Sequence, residues 1–194
     1  MGMDKCTVLF HGKPLIYWPY HSLVDIVDEM VLSVSSDRDV TPFQNLLGRE
    51  YVLARDEEPD SGPIIGILSS FKKAKGEYVA LAPCDSPLIN KELYSRLFEL
   101  STGCDGAVPK VNGYWEPLYG VYRRESMISA IGKVLSEGKN RPIDAYKYLD
   151  IRELSEEMIM EFDPEFVSFL NINSFEQLLN ASNIRIKSNT KDHY

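Results

Sequence analysis

The sequence predicts an α/β fold with a mostly parallel sheet, and three observations carry that expectation. Short apolar runs alternate with helix-like segments along the chain, the pattern of βαβ units. The run Tyr78-Val-Ala-Leu-Ala82 is apolar almost throughout, as a strand covered on both faces must be. The residues with chemical potential follow strand-like runs, where ligands of such sheets bind, close to a switch in strand order. The 194 residues suffice for a single domain over 1–184, followed by a polar tail over 185–194.

Leu15 to Asp28 places apolar residues at helical spacing, with Pro19 marking a start or a kink. Met30–Ser35 and Tyr51–Ala54 read as buried strands. Pro63 then opens a helix that runs to Ala74 and stops at Lys75-Gly76, with proline in the first turn and glycine past the end. After the Tyr78–Ala82 strand, Asn90 caps a helix that extends to Leu100. Gly106–Pro109 and Pro117–Tyr122 read as strands, the second with proline at its beginning. Helices are expected over Glu125–Ser136, Pro142–Tyr148 and Ser174–Asn180, and a strand over Phe166–Leu170.

Composition narrows the function classes. A net charge of -8 argues against a nucleic-acid partner, which wants a basic patch, but leaves room for a nucleotide held by a few cations and backbone amides. Three cysteines, Cys6, Cys84 and Cys104, without a CxxC pair, form neither a disulfide framework nor a zinc knuckle. They read as reduced thiols of a cytoplasmic protein. No stretch is long and apolar enough to span a bilayer.

Three stretches hold candidate chemistry. In Ala82-Pro-Cys-Asp-Ser-Pro87 a strand delivers Asp85 at its carboxyl end. A carboxylate there either coordinates Mg²⁺ that grips phosphate oxygens, or caps the following turn. Cys84 reads as a small buried residue rather than a nucleophile. In Asp56-Glu-Glu-Pro-Asp-Ser-Gly-Pro63 an acidic loop enters a helix N-terminus, with Glu57 and Glu58 read as solvated. Asn171-Ile-Asn173 precedes Ser174, a helix cap; its amides suit pterin or phosphate recognition, and a strand-to-helix turn alone would also account for them. Lys5 and Lys13 are point charges suited to phosphate. Trp115 and Tyr114 read as packing or a pocket wall, and Tyr119 and Tyr122 as ordinary strand residues.

Taken in order, these pieces resemble the molybdenum cofactor guanylyltransferases. The resemblance is carried by Met1-Gly-Met-Asp-Lys5, Gly12-Lys-Pro-Leu-Ile16, Ser36-Asp-Arg-Asp39, Asp56 with Gly62-Pro-Ile-Ile-Gly66, Ala82-Pro-Cys-Asp-Ser-Pro87, Glu116-Pro-Leu-Tyr119 with Tyr122-Arg-Arg124, and Phe169-Leu-Asn-Ile-Asn173. It implies a Rossmann-like three-layer sandwich of nucleotidyltransferase type, with Mg²⁺ as cofactor, and with GTP and molybdopterin as substrates. It also implies transient contact with molybdoenzymes or other cofactor-synthesis proteins. By the resemblance, Lys5 binds nucleotide phosphates and Asp85 holds the metal, the two serving as the catalytic pair. Asp56 contacts the nucleotide, with Asp60 a nearby competitor. Asp37 stands where the family carries asparagine, which removes two donors and adds charge. Asn171 and Asn173, with the Glu116-Pro117 segment, face molybdopterin. The family signature begins with a strand and a glycine-rich phosphate loop ahead of Met-Gly-x-Asp-Lys, so a longer natural product is expected, with that strand in the middle of the sheet. Cytidylyl or sugar-1-phosphate transfer, and a non-catalytic binding subunit, are the alternatives.

Overall fold

A computed structural model of the chain describes residues 5–44, 46–47, 51–56, 63–182 and 184. The expectations for Met1–Asp4, Glu57, Glu58, Asp60, Gly62 and the tail over 185–194 lie outside the described residues.

A 3₁₀ turn over Lys5–Thr7 leads into a hairpin of β1 (Leu9–Phe10) and β2 (Lys13–Pro14). Its two central residues, His11 and Gly12, have φ of 46° and 77°, the conformation that suits a two-residue hairpin turn. Helix α1 (Tyr17–Leu23) is shorter than its apolar pattern, and Pro19 sits in its first turn, where the missing N–H costs nothing. Strand β3 (Val31–Val34), helix α2 (Thr41–Gln44), strand β4 (Val52–Arg55) and helix α3 (Pro63–Lys73) follow. Ile64, Ile67 and Phe71 form the buried stripe of α3. Next come β5 (Tyr78–Ala80), α4 (Lys91–Ser101), β6 (Gly106–Val111), β7 (Tyr114–Trp115), β8 (Val121–Arg123) and α5 (Arg124–Ser136). The chain ends in β9 (Ile151–Leu154), α6 (Glu156–Met160) and α7 (Phe175–Ser182). Asn90 caps α4, its side chain accepting from the Glu92 N–H at 3.0 Å. Ser174 and Gln177 form a reciprocal capping box at α7: Ser174 Oγ accepts from the Gln177 N–H, and Gln177 Oε1 from the Ser174 N–H.

The larger sheet has the order β5-β8-β6-β7, with β9 pairing β6. Strands β5 and β6 are each antiparallel to β8, and β9 is parallel to β6, so β5, β6 and β9 run one way and β8 alone is reversed between them. The short β7 returns from β6 by a tight hairpin. Adjacent residues of the sheet are buried on opposite faces. Ala107, Val121 and Leu154 pack on Leu93, Tyr94 and Leu97 of α4. Val108 and Tyr122 pack on Ile64, Ile67 and Phe71 of α3 and on Met127, Ile131 and Val134 of α5. Helices on both faces make the three-layer sandwich, and they explain why β6 and β8 lack polar alternation where they are covered.

Strands β3 and β4 form a separate parallel pair. Among the described residues no ladder joins this pair to β5. The carbonyls of Met30 and Val34 face β4, so Val31 and Ser33 present their backbone groups to the opposite edge. In β5, Glu77 and Leu81 bond β8, so Tyr78 and Ala80 point away from it. A cavity of about 520 Å³ spans these two edges, lined by Ser33–Ser35 on one side and Leu81–Pro83 on the other.

Two expected strands are corrected. Pro117–Tyr122 divides into a 3₁₀ turn, Pro117–Tyr119, and then β8. Tyr119 is 1% exposed, drawn inward by hydrogen bonds to its hydroxyl. Phe166–Leu170 is a 3₁₀ turn over Val167–Phe169. The buried Asp163 carboxylate accepts from the Val167 and Ser168 N–H groups, each at 2.9 Å, leaving nothing for a ladder.

Candidate functional site

Three segments far apart in sequence meet beside the carboxyl end of β5. The Lys5–Thr7 turn, closed by the Val8 N–H donating to Lys5 O, presents the Lys5 ammonium. The loop after β5 presents Asp85. The segment before α7 presents Asn171 and Asn173, and is tied to that loop by the Ile172 N–H donating to Asp85 O at 2.8 Å. Lys5 Nζ lies 3.7 Å from Asp85 Oδ2 and donates to Asn173 Oδ1. The side chains of Lys5 and Asp85 are 44% and 22% exposed, so the pair stays open to a ligand.

Beneath this rim lies a polar knot. Ser86 Oγ and the Tyr119 hydroxyl are 2.6 Å apart, and both reach Asn171 Oδ1, at 2.5 Å and 2.8 Å. Two hydroxyl protons serve three contacts, which holds Asn171 in one orientation. Burial raises the Tyr119 phenol pKa, so it stays protonated as a donor.

Asp56 stands apart, at the carboxyl end of β4, in the wall of the 520 Å³ cavity. Its Oδ1 is buried and has no hydrogen-bond partner among the described residues, and desolvation raises the carboxyl pKa. Gly66 keeps the wall open there: a Cβ at Gly66 would stand 3.1 Å from Ser33 Oγ and 3.4 Å from Asp56 Oδ1. A second cavity, of about 460 Å³, is lined by Asn171, Asn173 and Gln177. The loop carrying Asp85 connects the two: Leu81–Pro83 line the first cavity, and Asp85 itself is bonded to a residue of the second.

The structure thus gathers Lys5, Asp85, Asn171 and Asn173, and sets Asp56 in the adjoining cavity. It does not bring Asp37 into that wall; Asp37 is exposed in the turn beyond β3. Sequence reasoning missed Ser86 and Tyr119. Ser86 lay inside the quoted Cys-Asp-Ser-Pro stretch, and its full burial is a tertiary fact. It also missed Arg55, whose Nη1 donates to Ser36 O and Arg38 O and pins the turn carrying Asp37.

As a metal site the donor set is spare. Among the described residues no three His, Cys, Asp or Glu side chains cluster to hold an ion. Mg²⁺ needs less than that: it is held by one or two carboxylates, with phosphates and waters filling the other positions. Asp85 offers such a hard oxygen donor at a partly open rim, so the residues fit an ion carried in with a nucleotide.

A sheet with helices on both faces, with Asp85 on the loop after β5 and Lys5 brought beside it, defines an α/β protein whose candidate ligand rim lies at a strand's carboxyl end. The chain belongs to the MobA-like NTP transferase domain family, whose model matches residues 1–151, and it is a nucleotidyltransferase. It is 34% identical over 191 residues to the probable molybdenum cofactor guanylyltransferase of Methanosarcina acetivorans, spanning 92% of this chain and 82% of that protein. It is 31% identical over 179 residues to the protein of the same name from Natronomonas pharaonis, over 92% of this chain and 88% of that one. Among solved structures, molybdopterin-guanine dinucleotide biosynthesis protein A from Archaeoglobus fulgidus superposes with a TM-score of 0.73 at 25% identity, covering 93% of this chain and 90% of that chain. The 2-C-methyl-D-erythritol 4-phosphate cytidylyltransferase of Thermus thermophilus, with a TM-score of 0.70 at 15% identity, shares the fold. No helix among the described residues is long and apolar enough to cross a membrane.

Proposed function

We propose that the protein transfers GMP from GTP to molybdopterin and releases pyrophosphate. The observation that carries this reading is the meeting of Lys5, Asp85 and Asn173 at a rim flanked by two cavities, room for a nucleotide on one side and an acceptor on the other. The names of the Methanosarcina and Natronomonas relatives supply the substrate pair.

The nucleotide occupies the cavity of Asp56, whose buried oxygen, without a hydrogen-bond partner among the described residues, accepts from the donor groups of a base or ribose. Asp37 joins this set only for a ligand that extends past the cavity to the turn after β3. Asp85 holds Mg²⁺, and the bound ion supplies positive charge against the triphosphate. Lys5 exchanges its contact with Asp85 for the phosphates and offsets charge on the leaving pyrophosphate. Asn171 and Asn173 orient molybdopterin, whose terminal phosphate oxygen bonds the α-phosphorus as the bond to the bridging oxygen breaks. The bonding pair leaves with pyrophosphate. Positioning and charge compensation supply the rate, and no protein nucleophile takes part.

The test is pyrophosphate release measured with GTP, CTP and UTP, each with and without molybdopterin. Release that requires GTP and molybdopterin together supports the reading. Equal or faster release with CTP assigns a cytidylyl transfer instead. Absence of release accompanied by tight ligand binding assigns a binding subunit.

A further inference from the structure

Two cysteines flank the site residues: Cys6 follows Lys5, and Cys84 precedes Asp85. Their sulfurs lie 2.7 Å apart although 78 positions separate them in sequence. Both residues are only partly exposed. Cys6 O accepts from the Ile16 N–H, and Cys84 packs with Ile16, Tyr20 and Val24 of the core beside β3. Cys104 is 5% exposed, and its thiol is turned onto the carbonyls of Ser101 and Gly106.

We propose that Cys6 and Cys84 are a modification site, closed to a reversible disulfide by exchange with a low-molecular-weight disulfide. The inference is independent of which nucleotide is transferred. In the first step the Cys6 sulfur attacks one sulfur of the reagent, loses its proton to solvent and releases one reagent thiolate. In the second the Cys84 sulfur attacks the mixed disulfide on Cys6, loses its proton and releases the second thiolate. The protein is oxidised by two electrons, the reagent disulfide is reduced to two thiols, and each thiolate takes up one of the two protons. For the second step the sulfurs close from 2.7 Å to the S–S bond length of about 2.05 Å. The bond fastens the turn carrying Lys5 to the loop carrying Asp85. It also restricts the unfolded chain across a long loop, which stabilises the oxidised form.

The experiment uses the whole chain, reduced and then incubated with oxidised glutathione. Remaining thiols are alkylated and the protein is digested without reductant. The expected product is one crosslinked peptide pair containing Cys6 and Cys84, lighter by two hydrogens than the separate peptides, with Cys104 alkylated. The melting temperature of the oxidised protein should rise by about 5–10 °C and return on reduction. Cys6→Ser and Cys84→Ser should each abolish the crosslink and the rise. Glutathione adducts without a crosslink, a crosslink through Cys104, alkylation of all three thiols, or an equal rise in Cys6→Ser would each overturn the proposal.

Discussion

Asp85 and Asp56 are carboxylates at strand ends whose surroundings set them opposite tasks. Asp85 faces the Lys5 ammonium at a partly open rim, and Asp56 hides an oxygen that no described residue hydrogen-bonds. In a form of the protein competent for transfer, Asp85→Ala should abolish pyrophosphate release while the far-UV circular dichroism stays unchanged; undiminished turnover would remove Asp85 from the metal role. For Asp56 the raised pKa makes the folded state the better proton binder between the usual aspartate range and its own higher value. Its protonation therefore favours folding on the acid side, and that stabilisation is lost as pH rises through the raised pKa. Asp56→Asn should melt at a higher temperature than the parent at pH 7, with the gap closing below the usual aspartate range. The same variant should bind GTP about tenfold or more weakly, because a charge-assisted hydrogen bond is worth about 1.5–3 kcal/mol. Thermal melts across pH and calorimetric titration check both halves. Tyr119→Phe takes one proton from the knot under Asn171 and should cost about 1–2 kcal/mol in a denaturant melt.

Among the elements, the turn over Val167–Phe169 shows most clearly what pattern reading reaches. Its apolar residues look like a strand, but Asp163 captures two backbone N–H groups and Phe166 takes a φ of 53°. Asp163→Ala would leave two N–H groups in a buried setting without acceptors, at a cost of about 2–4 kcal/mol, read as a lower denaturation midpoint. Helices α3 and α4 were legible because their stripes, caps and stops are local, as Asn90 and Pro63 show. The Ser174 cap was legible for the same reason, whereas its reciprocal partner Gln177 was not read. Strand β9 escaped notice because Ile151–Leu154 is half polar and owes its existence to pairing with β6. Asn112-Gly113, with φ of 51° and 77°, was a readable hairpin signal that went unused. At the site, the motifs pointed to Asp85, Lys5 and the two asparagines. The inward pull on Tyr119 and the meeting of Cys6 with Cys84 depend on contacts between distant segments, which no local spacing encodes.

On the scale of the whole molecule, the strands beyond the β1–β2 hairpin fall, among the described residues, into two plates. One is the β5-β8-β6-β9 sheet clamped between α4 on one face and α3 with α5 on the other. The other is the β3–β4 pair, which α3 also covers. Among the described residues, side-chain packing through α3 couples them, whereas amide ladders hold each plate internally. Packing of this kind yields more readily than a ladder when a molecule breathes. Deuterium uptake should therefore reveal a fault line. The amide of Ala80, aimed at the boundary, should exchange faster than those of Val79 and Leu81, which are tied to β8. Equal protection across these three neighbours would show a rigid junction. Among the described residues, opening along this boundary would unravel neither plate, and the crevice where Asp56 sits would widen first.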